Sequence, residues 1–263
     1  MVRTTLLEPL DRIIPPLLDD LRATLGDELV GVYQLGSAVS GGFEPELSDL
    51  DLVIVTRRDV EAIAFERFAG VVDRLVAREP EWAGRLDLAF VGRGTLADLG
   101  SGGALLEISH DKPLHRENAA DWTETWFLAR DADRALAGPP AADVFPPITG
   151  EEFLRDVVAG FPNFVTAVRD DWPHGSVAYR VLTVCRVLRS LDSGALCTKL
   201  EGADWAAARY PEWAGVIRAA REVRTSGEKA RFADSDRAQV QPFLDFLARE
   251  IAVSASARFE PQA

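Results

Sequence analysis

The sequence predicts an α+β fold with two domains, a mixed sheet with helices over residues 1–146 and an α-helical bundle over residues 147–263. In the first half, two apolar runs with the length of buried strands lie on either side of Gly36-Ser37. The second half carries segments with helical periodicity, separated by proline or glycine. Four prolines between Gly138 and Pro147 mark the linker between the halves.

The local patterns predict the individual elements of each domain. In the N-terminal domain these are a helix at 5–26, a strand at 30–35, a second strand that opens at 48–51 and runs to 56, a crossover helix at 60–78, a strand at 85–91 and helical pieces over 104–136. In the C-terminal domain they are helices at 151–169, 176–191, 202–209, 213–224 and 237–257. Pro15 and Pro16 are expected to start or kink the first helix, and Pro113 to interrupt the later helical pieces.

Composition excludes several classes of protein. The formal net charge of −13 argues against a surface that grips a nucleic-acid backbone; it either draws in a cation or maintains solubility. The two cysteines, Cys185 and Cys197, support neither a disulfide framework nor a zinc site. The three histidines, His110, His115 and His174, include no pair at ligand spacing, so no metal role is predicted for them.

The N-terminus is broken by acids and prolines before a signal-type apolar core develops, and no later stretch approaches 18 uninterrupted apolar residues. We therefore expect a cytoplasmic protein without membrane or nucleic-acid partners. We also expect it to be a monomer.

Two carboxylates, Asp49 and Asp51, stand where the second apolar run begins. Residues two apart in a strand project from the same face, so these side chains should point together, with backbones about 6–7 Å apart. Like charges held that close are costly unless a cation lies between them, and oxygen ligands suit Mg²⁺ with phosphate as a co-ligand.

A third acid, Asp87, stands inside the apolar strand predicted at 85–91, where an isolated buried charge is expensive. We interpret Asp87 as facing the same cation as Asp49 and Asp51. The alternatives are an exposed edge position or an arginine partner. Gly36-Ser37, after the first strand, has the composition of a small anion site, because glycine lets backbone amides approach a phosphate.

Taken together, Gly36-Ser37, a ten-residue spacer, Ser48-Asp49-Leu50-Asp51 and the later in-strand acid resemble the signature of the nucleotidyltransferase superfamily typified by DNA polymerase beta. The segment GSAVSGGFEPELSDLDLVIVT is similar, almost position by position, to bacterial aminoglycoside adenylyltransferases that modify streptomycin and spectinomycin. Past the linker, VLTVCR at 181–186, Lys199 and ADWA at 203–206 are similar in type and spacing to that family's helical domain.

This resemblance implies a polymerase-beta-like nucleotidyltransferase domain followed by the helical bundle, with the active site in the cleft between them. It implies transfer of AMP from ATP to a hydroxyl of a cationic, aminoglycoside-type acceptor, with release of pyrophosphate. Asp49 and Asp51 are implied to hold Mg²⁺, and Asp87 to serve as general base or third metal ligand. The implied ATP-binding residues are Gly36, Ser37, Ser48, Arg186 and Lys199.

The sequence departs from this family at three places. The position of Asp87 is a glutamate in the family, and the family's streptomycin-binding tryptophan and acid align near Asp111 and Ser176, which do not match. Another small-molecule or macromolecular acceptor, or a non-catalytic nucleotide-binding regulator, is therefore an alternative function. The side chains that could meet a cationic acceptor instead are Trp122, Trp126, Trp172, Glu107, Asp170 and Asp171.

Overall fold

In the computed structural model, the described residues are 8–41, 43–46, 48–109, 112–163, 165–226 and 230–259. The chain divides into two compact units, Met1–Ile148 and Thr149–Ala263. The first unit contains a mixed sheet with helices and the second is α-helical, which confirms the predicted α+β fold class. Among the described residues, no helix is both long enough and apolar enough to cross a membrane.

The first unit is built on a six-stranded sheet with the order β5-β4-β3-β2-β1-β6. Its strands are β1 (Leu29–Gln34), β2 (Leu50–Thr56), β3 (Leu86–Gly92), β4 (Ala104–Ser109), β5 (Lys112–Asn118) and β6 (Ala135–Ala137). Its helices are α1 (Leu10–Leu25), α2 (Ser37–Ser40), α3 (Phe65–Arg78), α4 (Arg93–Ala97) and α5 (Thr123–Ala132). Strands β2 and β3 run parallel, whereas the other neighbouring strands are antiparallel.

Alternation along the central strands divides the apolar residues between two cores. In β2, Leu52 and Ile54 belong to a core that includes residues of α1 and α3. Val53 and Val55 point the other way, into a core that includes residues of α5. Because Asp51 alternates in step with Val53 and Val55, its side chain belongs to the α5 side of the sheet. The same alternation in β3 puts Asp87 on that side with Ala89 and Val91.

The helical pieces predicted over 104–136 are wrong for the first half of that segment. Residues 104–109 and 112–118 form the antiparallel strands β4 and β5, and only Thr123–Ala132 is an α-helix. Most of β5 is exposed or half-buried at the edge of the sheet, so its sequence lacks an apolar period. Pro15 and Pro16 lie inside α1, so they do not start the first helix, and the predicted kink stays a prediction.

The proline-rich stretch Gly138–Pro147 is part of the first unit and packs against its sheet. Ala141 and Phe145 are buried in the core on the α5 side of the sheet. The Tyr33 hydroxyl donates to the Pro139 carbonyl oxygen at 3.0 Å, and its ring meets Phe145 edge-on at 4.9 Å between centroids. These contacts anchor the stretch to β1.

The second unit is a helical bundle around a central, largely buried helix, α7. Its helices are α6 (Gly150–Gly160), α7 (His174–Ser193), α8 (Lys199–Arg209), α9 (Ala214–Thr225) and α10 (Asp234–Phe259). The helix predicted at 151–169 is too long, since α6 ends at Gly160. A capping box fixes the start of α8, because the Thr198 hydroxyl accepts from the Glu201 amide and the Glu201 carboxylate accepts from the Thr198 amide.

Helices α7 and α8 approach closely at Gly202. A Cβ added there would lie 2.6 Å from the Arg186 Cα and 2.7 Å from its backbone nitrogen, closer than non-bonded atoms pack. A glycine inside a helix ordinarily costs stability relative to alanine. At Gly202, the absence of a side chain instead permits the contact with α7.

We predict that Gly202→Ala destabilises the second unit by about 1–3 kcal/mol, because backbone atoms cannot move aside as a flexible side chain would. Gly215→Ala is the matched control: Gly215 is helical and exposed, with no atom within 4 Å of the added Cβ. The control should be neutral or gain up to about 1 kcal/mol. Urea unfolding of the two variants measures the difference, and equal effects would contradict the packing argument.

Candidate active site on the α5 side of the sheet

The ladder between β2 and β3 brings two of the predicted acids together. Asp51 pairs directly with Asp87 in this parallel register. Both side chains therefore project from the same face of neighbouring strands, whose axes lie about 4.8 Å apart. Asp49 precedes β2 by one residue and influences the charge of Asp87, so all three predicted carboxylates belong to one cluster.

Within this cluster, the pKa of Asp87 is strongly shifted. Burial is the main cause that raises its pKa from 3.8 to about 6, and the negative charges of Glu107 and Asp49 add to the effect. A carboxylate with these neighbours gains from a nearby cation and accepts a proton near neutral pH more readily than an ordinary aspartate.

Arg85 holds the segment that carries Asp49. Its guanidinium donates to the Ser48 carbonyl oxygen from both Nε, at 3.1 Å, and Nη2. Nη2 also donates to the Pro45 carbonyl oxygen at 2.8 Å. The Arg85 carbonyl oxygen accepts from the Leu50 amide at 2.8 Å. Sequence reasoning missed this role, because arginine at a strand end gives no signal of the distant loop that it binds.

The turn at Gly36 is shaped to fit against Asp51. Gly36 has a φ of 69°, in the left-handed region, and a Cβ added there would collide with the Asp51 carboxylate. Gly36 is also the N-cap of α2, and its carbonyl oxygen accepts from the amides of Val39 and Ser40. The glycine predicted as an anion site is thus in direct contact with a predicted metal ligand.

The two predicted serines occupy different environments. Ser37 is the first residue of α2 and is half-buried. Ser48 is buried, and its hydroxyl oxygen accepts from the Glu44 amide at 2.8 Å. Ser48 therefore closes the loop before β2. Its hydroxyl can still donate its hydrogen, for example to a phosphate oxygen.

Two predicted basic residues lie in the second unit. Arg186 is half-buried on α7, two turns from Tyr179 on the same side of that helix. Lys199 begins α8, and its Nζ lies 4.3 Å from the centroid of the Tyr179 ring. Lys199 is three residues from Gly202, which packs on the Arg186 backbone, so Lys199 and Arg186 belong to the same α7–α8 junction.

A cluster that the sequence did not predict lies on β4 and β5. His115 Nε2 is 3.2 Å from Glu107 Oε2 and 2.8 Å from Glu117 Oε1. The pKa of His115 is raised: burial lowers it, but the Pro113 carbonyl and the two glutamates together outweigh that effect. The spacing between histidines in the sequence gives no signal of this cluster, because its ligands come from two different strands and only one of them is a histidine. The His-x-Glu alternation at 115 and 117 was the available signal.

The side chains considered for a cationic acceptor divide into buried and surface groups. Trp126 is buried in the core and donates to the Ala119 carbonyl oxygen at 2.9 Å, so its ring is a structural group. Arg180 lies over the Trp172 ring at 4.3 Å, and Arg169 pairs with Asp171. Asp111 lies outside the described residues.

Comparisons with known proteins match both parts of the chain. Residues 143–250 match the family model described as the C-terminal domain of aminoglycoside adenylyltransferase. An aminoglycoside (3'') (9) adenylyltransferase of Escherichia coli is 27% identical over 245 residues, covering 85% of this chain and 88% of that protein.

A solved structure has the same fold. The spectinomycin adenyltransferase AAD(9) from Enterococcus faecialis, determined with ATP and spectinomycin, superposes with a TM-score of 0.73 at 16% identity. The similarity covers 92% of this chain and 99% of that chain.

We predict that Gly36→Ala displaces the Asp51 carboxylate and weakens binding of magnesium-ATP, the ligand proposed below for this cluster, by at least about tenfold, the effect of losing roughly 1.4 kcal/mol of interaction. Gly41→Ala is the matched control, since Gly41 also has a left-handed φ but no atom within 4 Å of an added Cβ. Both variants carry backbone strain, and only the first collides with Asp51. Isothermal titration with a non-hydrolysable ATP analogue separates them; equal losses would show that strain alone is responsible.

Proposed function

We propose that this chain, which belongs to the aminoglycoside adenylyltransferase family, transfers AMP from ATP to a hydroxyl of an aminoglycoside-type antibiotic such as streptomycin or spectinomycin. Pyrophosphate is the second product. Membership of this family makes the chain a nucleotidyltransferase enzyme. The observation that carries the proposal for the site is the direct pairing of Asp51 with Asp87, with Asp49 nearby. The turn at Gly36, between β1 and α2, packs against the Asp51 carboxylate.

The acidic cluster fits Mg²⁺. Its donors are carboxylate oxygens, the ligands that this ion prefers, and Asp87 is partly buried among negative charges that a cation would offset. We propose Asp49, Asp51 and Asp87 as the residues that hold it. When bound, Mg²⁺ supplies positive charge against the phosphate oxygens of ATP and against the charge that develops on the leaving pyrophosphate.

Five further residues are proposed to bind the nucleotide. The turn at Gly36 and Ser37 and the hydroxyl of Ser48 are proposed to contact the phosphates. Arg186 and Lys199 are proposed to bind phosphates from the second unit, where they share the α7–α8 junction. The unit boundary near residue 146, the cytoplasmic location and the monomeric state remain predictions.

Asp87 is the proposed general base. Its carboxylate takes the proton of the acceptor hydroxyl, the hydroxyl oxygen forms a bond to the α-phosphorus, and pyrophosphate leaves with the electrons of the broken bond. In the metal-free protein, a pKa of about 6 leaves Asp87 ionised at neutral pH yet more basic than an ordinary aspartate, and bound Mg²⁺ would lower that pKa. The resembled family uses glutamate at this position, so aspartate here must reach the acceptor with one methylene fewer.

An acceptor screen tests the proposed reaction. Pyrophosphate release from ATP is measured with streptomycin, spectinomycin and related aminocyclitols, and Asp49→Ala serves as the blank. We expect at least one of these acceptors to stimulate release by the wild-type enzyme and none to stimulate the blank. If no acceptor stimulates pyrophosphate release, but the wild type binds magnesium-ATP and Asp49→Ala does not, the proposed antibiotic acceptor is wrong. The nucleotidyltransferase assignment then survives.

We predict that Asp87→Asn lowers kcat by roughly 10²–10⁴-fold, the usual contribution of a general base, because the amide cannot accept the proton. Asp87→Glu is the matched control and should retain most of the activity, because it keeps the carboxylate. Steady-state kinetics at saturating magnesium-ATP measure both. An Asp87→Asn enzyme as active as the wild type would exclude Asp87 as the base.

The unmatched acceptor positions near Asp111 and Ser176 favour a second candidate, a nucleotidyltransferase with another acceptor. Incubation with a cell extract and ATP labelled in the α-phosphate distinguishes the two. Label in protein or RNA indicates a macromolecular acceptor, and label in the small-molecule fraction indicates a metabolite. Pyrophosphate release that depends on Asp87 would also exclude a non-catalytic nucleotide-binding regulator.

A further inference from the structure

A histidine and two glutamates converge on one face of the β4–β5 hairpin. Glu107 and His115 are direct partners across this antiparallel ladder, and Glu117 is two residues beyond His115 on the same face. One ligand atom from each side chain lies within 4.8 Å of the others. The cluster is a consequence of strand register, so its geometry is set by backbone hydrogen bonds.

We propose that Glu107, His115 and Glu117 form a binding site for a divalent transition-metal ion such as Zn²⁺, distinct from the magnesium site proposed at Asp49, Asp51 and Asp87. The site provides three protein ligands, two carboxylates and one imidazole. It leaves a fourth position open to water or another ligand, as in zinc sites with three protein ligands.

The orientation of the imidazole supports a metal at Nε2. His115 Nδ1 lies 2.9 Å from the Pro113 carbonyl oxygen, which can only accept, so Nδ1 carries the hydrogen. Nε2 is left facing two carboxylate oxygens, an arrangement that requires either a second proton or a cation between them. A backbone carbonyl that fixes the other ring nitrogen is the usual support of a metal-binding histidine.

The spacing of the ligand atoms fits a small ion. Metal–ligand bonds of about 2.1 Å in a tetrahedral arrangement put the ligand atoms about 3.4 Å apart. The distances from His115 Nε2 to the two glutamates, 3.2 Å and 2.8 Å, are close to this value. The ligand oxygens of Glu107 and Glu117 lie within 4.8 Å of each other, so all three ligand atoms are within reach of one ion.

The charge of the cluster favours a divalent cation. Glu107 is 8% exposed, and a buried carboxylate is costly without a positive partner. Two carboxylates with a neutral imidazole carry a charge of about −2, which one divalent ion balances. Lys112 Nζ is 3.9 Å from Glu117 and competes for that carboxylate, but its side chain is 56% exposed and can move into solvent.

The imidazole selects the kind of metal. Nitrogen ligands suit Zn²⁺ and the neighbouring first-row ions, whereas Mg²⁺ prefers oxygen ligands alone. The two proposed sites should therefore be separable by the ion that each one takes, although both lie on the same sheet.

The test is a Zn²⁺ titration of the full chain in excess Mg²⁺, followed by calorimetry, with Co²⁺ absorption spectra as a second readout. His115→Asn keeps a donor for the Pro113 carbonyl but removes Nε2. It should weaken the site by more than the roughly 10–100-fold that loss of an outer-shell partner costs. Glu117→Gln removes a ligand from a half-exposed position and should act in the same direction without a folding defect.

Two variants serve as controls. His174→Asn replaces a histidine of the second unit, where Nδ1 accepts from the Phe232 amide, and should leave Zn²⁺ affinity unchanged. Asp49→Asn should reduce magnesium-ATP binding but keep the Zn²⁺ site and the Co²⁺ spectrum. The proposal is overturned if the wild type binds no Zn²⁺, if His115→Asn binds it as tightly as the wild type, or if Asp49→Asn abolishes the binding.

Discussion

The parallel register of β2 and β3 is the constraint on which the rest of the first unit depends. It sets Asp51 beside Asp87 on the sheet face where the other residues of these two strands, Val53, Val55, Ala89 and Val91, are apolar. Neighbouring strands are about 4.8 Å apart, so ionised carboxylates that project from one face repel each other, and protonation or a cation relieves that repulsion. Burial is the main cause of the raised pKa of Asp87, and the negative charges of Glu107 and Asp49 on either side of it add to the effect.

Other features of the fold follow from accommodating these acids. Gly36 lacks a side chain where the Asp51 carboxylate packs, and Arg85 ties the loop before Asp49 to the start of β3. Both residues act at the backbone, the first by leaving space and the second by satisfying carbonyl oxygens. The cluster is thus held by groups whose own hydrogen bonds and packing do not depend on a ligand.

Much of this arrangement could be predicted from the sequence, because its signals are local. Asp49, Asp51 and Asp87 were recognisable since a carboxylate in or beside an apolar run is unusual. The strands β4 and β5 were not, because β5 lies at the sheet edge and its residues Lys112–Asn118 have no apolar face. Its pairing with β4 decides its conformation, and the same pairing creates the contact of His115 with Glu107.

The acidic residues on the α5 side of the sheet follow the order of its strands. Asp51, Asp87 and Glu107 lie on consecutive strands of one face, and His115 follows on the edge strand. Asp51 and Asp87 are the proposed oxygen ligands of Mg²⁺, and Glu107 and His115 are a proposed oxygen and nitrogen ligand of a second cation. The strong net negative charge of the chain, −13, thus includes a concentrated row for which cations are the natural partners.

The most direct test of this account compares the stability of Asp87→Asn and wild type in EDTA at two pH values. Asp87 binds its proton more tightly in the folded protein, where its pKa is about 6, than in the unfolded chain, where it is 3.8. Ionising it therefore costs folding stability as the pH rises through this interval, and the asparagine variant escapes that cost.

We expect Asp87→Asn to exceed the wild type in unfolding free energy by about 3 kcal/mol at about pH 8, with the advantage nearly gone at about pH 4. Urea unfolding at both pH values gives the two differences. A variant that is less stable than the wild type at the higher pH would contradict the account, because the ionised carboxylate would then be stabilised by the protein alone.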